Sequence, residues 1–166
     1  MFSVTPLCRS SEATCWIHPD DRVLLTDPLR AMSDDTRQMM EQLAGGPATF
    51  TEPDEVRELR DGSEVSVAGL SFGALHAPGH TPGSVMFQTA YEPEADIDSL
   101  VFSGDVLFAG SIGRTDLPGG NHPAMLRSLR TKVLPLPDSV VVLPGHGPQT
   151  TVARERAENP YLQELT

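Results

Sequence analysis

The stretch from Leu75 to Ser84, LHAPGHTPGS, sets His80 among two prolines and two glycines. Proline fixes φ and has no N–H to donate, and glycine reaches conformations that other residues avoid. Such a run is neither helix nor central strand. It is a rigid turn that aims a side chain. Upstream, ELRDGSEVSVAGLSFGALHAPG alternates in short runs broken by Asp61-Gly62 and Ala68-Gly69, which predicts antiparallel strands with tight turns. Downstream, SVMFQTA reads as the next strand, EPEADID as an acidic loop and SLVFSGD as a further strand.

The flanks carry helical signals. CWIHP reads as a short strand stopped by Pro19, with Asp20 and Asp21 as caps for a short helix through RVLLTD. DDTRQMMEQLAGG opens on acidic residues and closes on Gly45, which predicts a helix. HPAMLRSLRTKVL places Pro123 in a first turn, with Leu126, Leu129 and Val133 at helical spacing. SVVVLPGHG is a buried-type strand, and TVARERAENPYL a closing helix that stops before Pro160.

The 166 residues, 39% apolar and 21% charged, suit one globular domain. Residues 1–14 show no periodicity and are expected to be poorly ordered, leaving 15–166 as the folded part. A net charge of −11 argues against nucleic acid and anionic membranes as partners, because both recruit basic patches. Apolar runs such as VVVL fall far short of the ~20 residues of a membrane helix. MFSVTPLCRSS lacks the pattern of a secretory signal, so a cytoplasmic location is expected. Cys8 and Cys15 form no Cys-x-x-Cys pair and are expected as free thiols. His18 and His122 are expected at the surface.

Three places repeat one design, an apolar strand that ends in a turn carrying a metal-ligand residue. They are ALHAPGHT with His80, LVFSGD with Asp105 and VVVLPGHG with His146. Strands laid side by side bring such ends to one edge of a sheet, where loops build sites on a rigid base. Two imidazoles and a carboxylate suit zinc, iron or manganese. Each residue alone also has an ordinary reading, as a surface histidine or a turn-forming aspartate.

HAPGHTPGSVMF, LVFSGDVLFAGSIGRTDLPGG and VVLPGHGPQTTVARERAENPYL together resemble the C-terminal half of the metallo-β-lactamase superfamily, in particular its glyoxalase II-like (hydroxyacylglutathione hydrolase-like) hydrolases. The resemblance implies an α/β (α+β) fold: half of an αββα sandwich, mostly one mixed sheet with flanking helices. It implies His80 as a ligand of one metal, Asp105 as the bridge between two, and His146 as a ligand of the second. Arg114, Asp116 and Thr81 are then supporting or ion-pairing residues beside the metals. The implied cofactor is Zn2+, with Fe2+ or Mn2+ as alternatives. The implied reaction is hydrolysis of a thioester of a small thiol. An iron-dependent persulfide dioxygenase and a non-catalytic binding module are the alternatives.

The family's His-x-His-x-Asp-His motif does not occur in these residues. The chain is therefore expected to be N-terminally shortened, with impaired activity and weak metal occupancy. His80, Asp105 and His146 then remain as a set for a single ion. An uncovered sheet face is expected to call for a second copy or a partner chain.

Overall fold

The computed structural model describes residues 3–43, 45–46, 49–91 and 97–165. Its centre is a six-stranded mixed sheet built from β3 (Glu64–Val67), β4 (Leu70–His76), β5 (Val85–Ala90), β6 (Ser99–Gly104), β9 (Val141–Pro144) and β10 (Thr150–Thr151). The order is β10-β9-β6-β5-β4-β3, antiparallel throughout except for the parallel pair β6–β9. Two antiparallel steps separate β4 from β6, so β4, β6 and β9 all run the same way. Their C-terminal ends share one edge of the sheet.

Local chemistry explains the elements. The β3–β4 turn places Ala68 and Gly69 at φ 53° and 80°, the left-handed pair that a two-residue hairpin requires. α3 (His122–Ser128) is capped by Asn121, whose side chain accepts from the Ala124 N–H at 2.9 Å, with Pro123 in its first turn. It runs on through a π-type turn over Leu129–Val133. α4 (Val152–Glu158) and α5 (Pro160–Gln163) are two helices where the sequence predicts one. Asn159 lies between them and caps α5 through the Tyr161 N–H. Most of the acidic loop, residues 92–96, lies outside the described residues.

One face of the sheet is the core. Met86, Val101 and Val142 pack there against Met125, Leu129 and Val133 of the α3 region, Val152 of α4 and Leu162 of α5. The opposite face is also apolar but open. Val65, Val67, Phe72, Phe87 and Phe102 line a shallow groove with Trp16, and Phe102 is 40% exposed.

The N-terminal part is a smaller unit. Within the first 14 residues, Val4–Ser11 form α1. β1 (Cys15–Ile17) pairs in parallel with β2 (Val56–Glu58). Two 3-10 segments, Pro19–Leu25 and Pro28–Ala31, lead to α2 (Asp34–Leu43), whose Met39 and Leu43 stay exposed. Two expectations are corrected here. The cap at Pro19–Leu25 is His18, which accepts from the Asp20 N–H, while Asp21 is buried and turned toward another loop. His18 is also buried rather than on the surface, whereas His122 is exposed. Among the described residues no helix is long and apolar enough to cross a membrane.

Candidate metal centre

The shared edge of β4, β6 and β9 brings His80, Asp105 and His146 together around a cavity of about 420 Å³. Asp105 stands between the two histidines. Its Oδ2 lies 3.6 Å from His80 Nε2, and its Oδ1 lies 3.9 Å from His146 Nε2. Both distances exceed a hydrogen bond. A zinc ion bonded to a nitrogen and an oxygen at ~2.0–2.2 Å, at a tetrahedral angle, sets those atoms about 3.4 Å apart. Each imidazole therefore faces its own carboxylate oxygen across a gap that suits an ion.

The His80 ring is held by its far nitrogen. Nδ1 donates to the Arg114 carbonyl at 2.9 Å, which leaves Nε2 facing Asp105. A neutral ring in that arrangement offers Nε2 as the ligand atom. His146 is looser. Its side chain is 74% exposed, and its ring packs on Phe108 with centroids 4.5 Å apart.

The turns are fixed from behind. Gly79 has φ 154°, and a Cβ there would fall 2.5 Å from the Met125 backbone of α3. Ser128 of α3 donates to the Pro78 carbonyl at 2.7 Å. From the other side Asp21 accepts from the Gly83 N–H at 2.8 Å and from the Thr81 hydroxyl at 2.5 Å. Around Asp105, space is reserved by glycine: a Cβ on Gly113 would sit 1.9 Å from the Asp105 carbonyl oxygen, and one on Gly145 would sit 2.5 Å from Asp105 Oδ1.

Arg114, which lines the cavity, forms a two-pronged ion pair with Asp116 at 2.8 and 2.7 Å. Hydrogen bonding to Arg114 pulls the Asp116 carboxyl down to about 2, so it stays charged at neutral pH. Thr81 serves the turn rather than the cavity, through its bond to Asp21.

A second histidine pair escaped the sequence. His18 and His76 stack with centroids 3.8 Å apart and planes within 10°, and with Asp20 they bring ligand atoms within 4.8 Å of one another. The donor chemistry suits a metal ion. The face-to-face rings keep their in-plane lone pairs in nearly parallel planes, however, and His76 Nε2 is committed to the Pro82 carbonyl at 2.9 Å. The pair also docks the end of β1 against the end of β4. The partial signal in the sequence was a His at a strand end in both places; their stacking depends on how the two sheets pack.

The profile of the Metallo-beta-lactamase superfamily matches residues 2–146. A protein of Mycobacterium tuberculosis is 47% identical over 152 residues, which are 91% of this chain and 65% of the relative. The chain thus spans about two thirds of the length of that relative. Hydroxyacylglutathione hydrolase GloC of Haemophilus influenzae is 44% identical over 103 residues, 62% of this chain and 46% of that protein. Among solved structures, the BLEG-1 B3 metallo-beta-lactamase superposes with a TM-score of 0.74 at 38% identity, covering 96% of this chain and 70% of that one. TTHA1623, solved in a di-iron-bound form, gives a TM-score of 0.66 at 38% identity, with the same coverage of 96% and 70%.

Proposed function

The chain belongs to the metallo-beta-lactamase superfamily, and from that premise we propose that it acts as a metal-dependent hydrolase on a thioester of a small thiol. The observation that carries this reading is the placement of Asp105, one oxygen toward His80 and the other toward His146. In this reading His80 and Asp105 would hold one divalent ion, and Asp105 and His146 would hold a second, zinc or iron. A cation bound there lowers the pKa of a water toward about 7 and polarises a carbonyl.

The chain's own residues supply the rest. The bond from His80 to the Arg114 carbonyl fixes the imidazole, so little reorganisation is needed when the site is used. Phe108, Ile112 and Pro148 give the cavity an apolar wall suited to an acyl group. Aside from the two histidines, the lining holds no side chain suited to protonating a leaving group among the described residues. That suits a thioester. A thiol has a pKa near ~8.5 and leaves as the thiolate, whereas an amine or alkoxide needs a proton. The similarity to hydroxyacylglutathione hydrolase GloC supports the same substrate class.

The similarity to a di-iron-bound structure favours iron as the ion, and so supports a second reading drawn from the family resemblance, iron-dependent oxygen chemistry on a thiol persulfide. The open apolar sheet face supports the further view that the chain works with that face covered by a second copy or a partner.

Metal content and zinc titration of the wild type, His80→Ala, Asp105→Ala and His146→Ala test the site. We expect Asp105→Ala to lose binding at both positions and each histidine variant to weaken binding at one. Binding unaffected by all three substitutions overturns the reading. Release of thiol from an acylated small thiol then separates hydrolase from oxygenase, which is recognised instead by oxygen uptake with iron and a persulfide.

A further inference from the structure

Glu155 is 1% exposed, and no cationic side chain pairs with it among the described residues. A buried carboxylate is tolerated only when its oxygens are hydrogen-bonded, and here they are. Thr150 donates its hydroxyl to Oε1 at 2.6 Å, and Oε2 accepts from the Gly110 N–H at 2.8 Å and from Asn159 Nδ2 at 2.8 Å. Asn159 is itself 0% exposed, and the same Nδ2 reaches the Ser111 carbonyl at 3.0 Å.

Gly110 and Ser111 belong to a small hairpin of β7 (Leu107–Phe108) and β8 (Ser111–Ile112). That hairpin forms one wall of the candidate metal centre, contributing Phe108, Ala109, Ser111 and Ile112. Phe108 carries the ring on which His146 rests. A continuous chain of contacts therefore runs from α4 to the loosest of the three candidate ligands. The turn that presents His80 is anchored by α3 and Asp21, but the described residues give the His146 ring no partner besides Phe108 and Asp105.

We propose that Glu155 and Asn159 are positioning residues for His146, acting through the β7–β8 hairpin and Phe108. The pair fixes the hairpin, the hairpin fixes the Phe108 ring, and the ring sets where His146 Nε2 faces Asp105. The consequence for metal holding rests on the proposed function; the contact itself belongs to the metal-free chain.

The test is the histidine-ring proton spectrum of the metal-free protein, with His146 assigned by His146→Gln. The Phe108 ring face moves the His146 ring protons upfield in the wild type. Phe108→Ala abolishes that displacement, and Glu155→Gln, which turns an acceptor into a donor facing donors, reduces it by at least half. The signals of His80 and His122 stay in place. If Glu155→Gln does not fold, Thr150→Val removes one of the three donors with little change of shape and carries the same expectation. His146 signals unchanged in these variants overturn the proposal. So does a common movement of all five histidines, because that marks general loosening.

A zinc titration adds the consequence. In Glu155→Gln the ion at His146 weakens by ~10–100-fold while the ion at His80 is held as before. Equal weakening of both ions also overturns the positioning role. A wild type that holds no ion defeats the proposed function, while the ring spectrum still decides this inference.

Discussion

Asp21 and Thr81, 60 residues apart in the chain, meet side chain to side chain, the threonine hydroxyl donating to the carboxylate at 2.5 Å. The other Asp21 oxygen accepts from the Gly83 N–H, so one buried aspartate of a 3-10 segment clamps the turn that presents His80. Hydrogen bonds to a charged group contribute about 1.5–3 kcal/mol each. Asp21→Ala is therefore expected to lower unfolding stability by roughly 2–4 kcal/mol, since it also strands the Gly83 N–H, while the Thr81 hydroxyl keeps Ser84 as a partner at 2.8 Å. Asp21→Asn should lose less. Urea denaturation measures this, and an unchanged midpoint in Asp21→Ala would remove it as an anchor.

Glycine at 145 and 113 is expected to matter for the site although neither has a side chain to contribute. A Cβ on Gly145 meets the Asp105 carboxylate and one on Gly113 meets its carbonyl, whereas the nearest neighbour of a Cβ on Gly73 is the Gln88 carbonyl at 3.9 Å. Gly145→Ala should weaken metal binding at least tenfold with modest loss of stability. Gly113→Ala should lose both binding and stability. Gly73→Ala should bind as the wild type does, and calorimetric titration of the three would expose any failure of this ranking.

The His18–His76 stack predicts a pH dependence. Burial first, and then the neighbouring His76, hold His18 below its ordinary value of 6.5, with Asp20 and Asp21 opposing. A histidine with a depressed pKa binds fewer protons in the folded than in the unfolded chain. Stability is then full above about pH 6.5 and declines as pH falls toward the folded value. The thermal midpoint should drop between pH 7 and 5, and His18→Gln should flatten that slope. An equal slope in the variant would place the titration elsewhere.

The open face of the main sheet predicts association. Phe72 and Phe102 meet edge to face, with ring centroids 5.9 Å apart, and Phe102 is 40% exposed. Exposed apolar patches of this kind mark interaction surfaces. Light scattering behind size exclusion should show mass rising with concentration, and Phe102→Lys should suppress it. A wild type that stays monomeric over a hundredfold concentration range would contradict the docking view.

Strands and their turns were legible because their signals are local. Asp61-Gly62 and Ala68-Gly69 each precede an alternating run, and β3 and β4 lie where those runs do, with β5 in the following SVMFQTA. The three strand ends that carry His80, Asp105 and His146 were legible for the same reason. The caps before Arg22 were misread, because a short acidic residue ahead of an apolar run looks alike whether it serves its own backbone or a distant loop. His18 was misplaced at the surface because burial depends on what stacks on it, and His76 lies on another sheet.

The sequence by itself determined where the strands bearing His80, Asp105 and His146 end and which family motifs are present, since each is encoded within about ten residues. Tertiary structure alone decided that Asp105 turns one oxygen to each histidine, that Asp21 braces the His80 turn, and that Glu155 holds the hairpin behind His146. Those relationships join residues tens of positions apart. They exist only once the parallel pairing of β6 with β9 and the burial of the α3–α5 face have fixed the elements against one another.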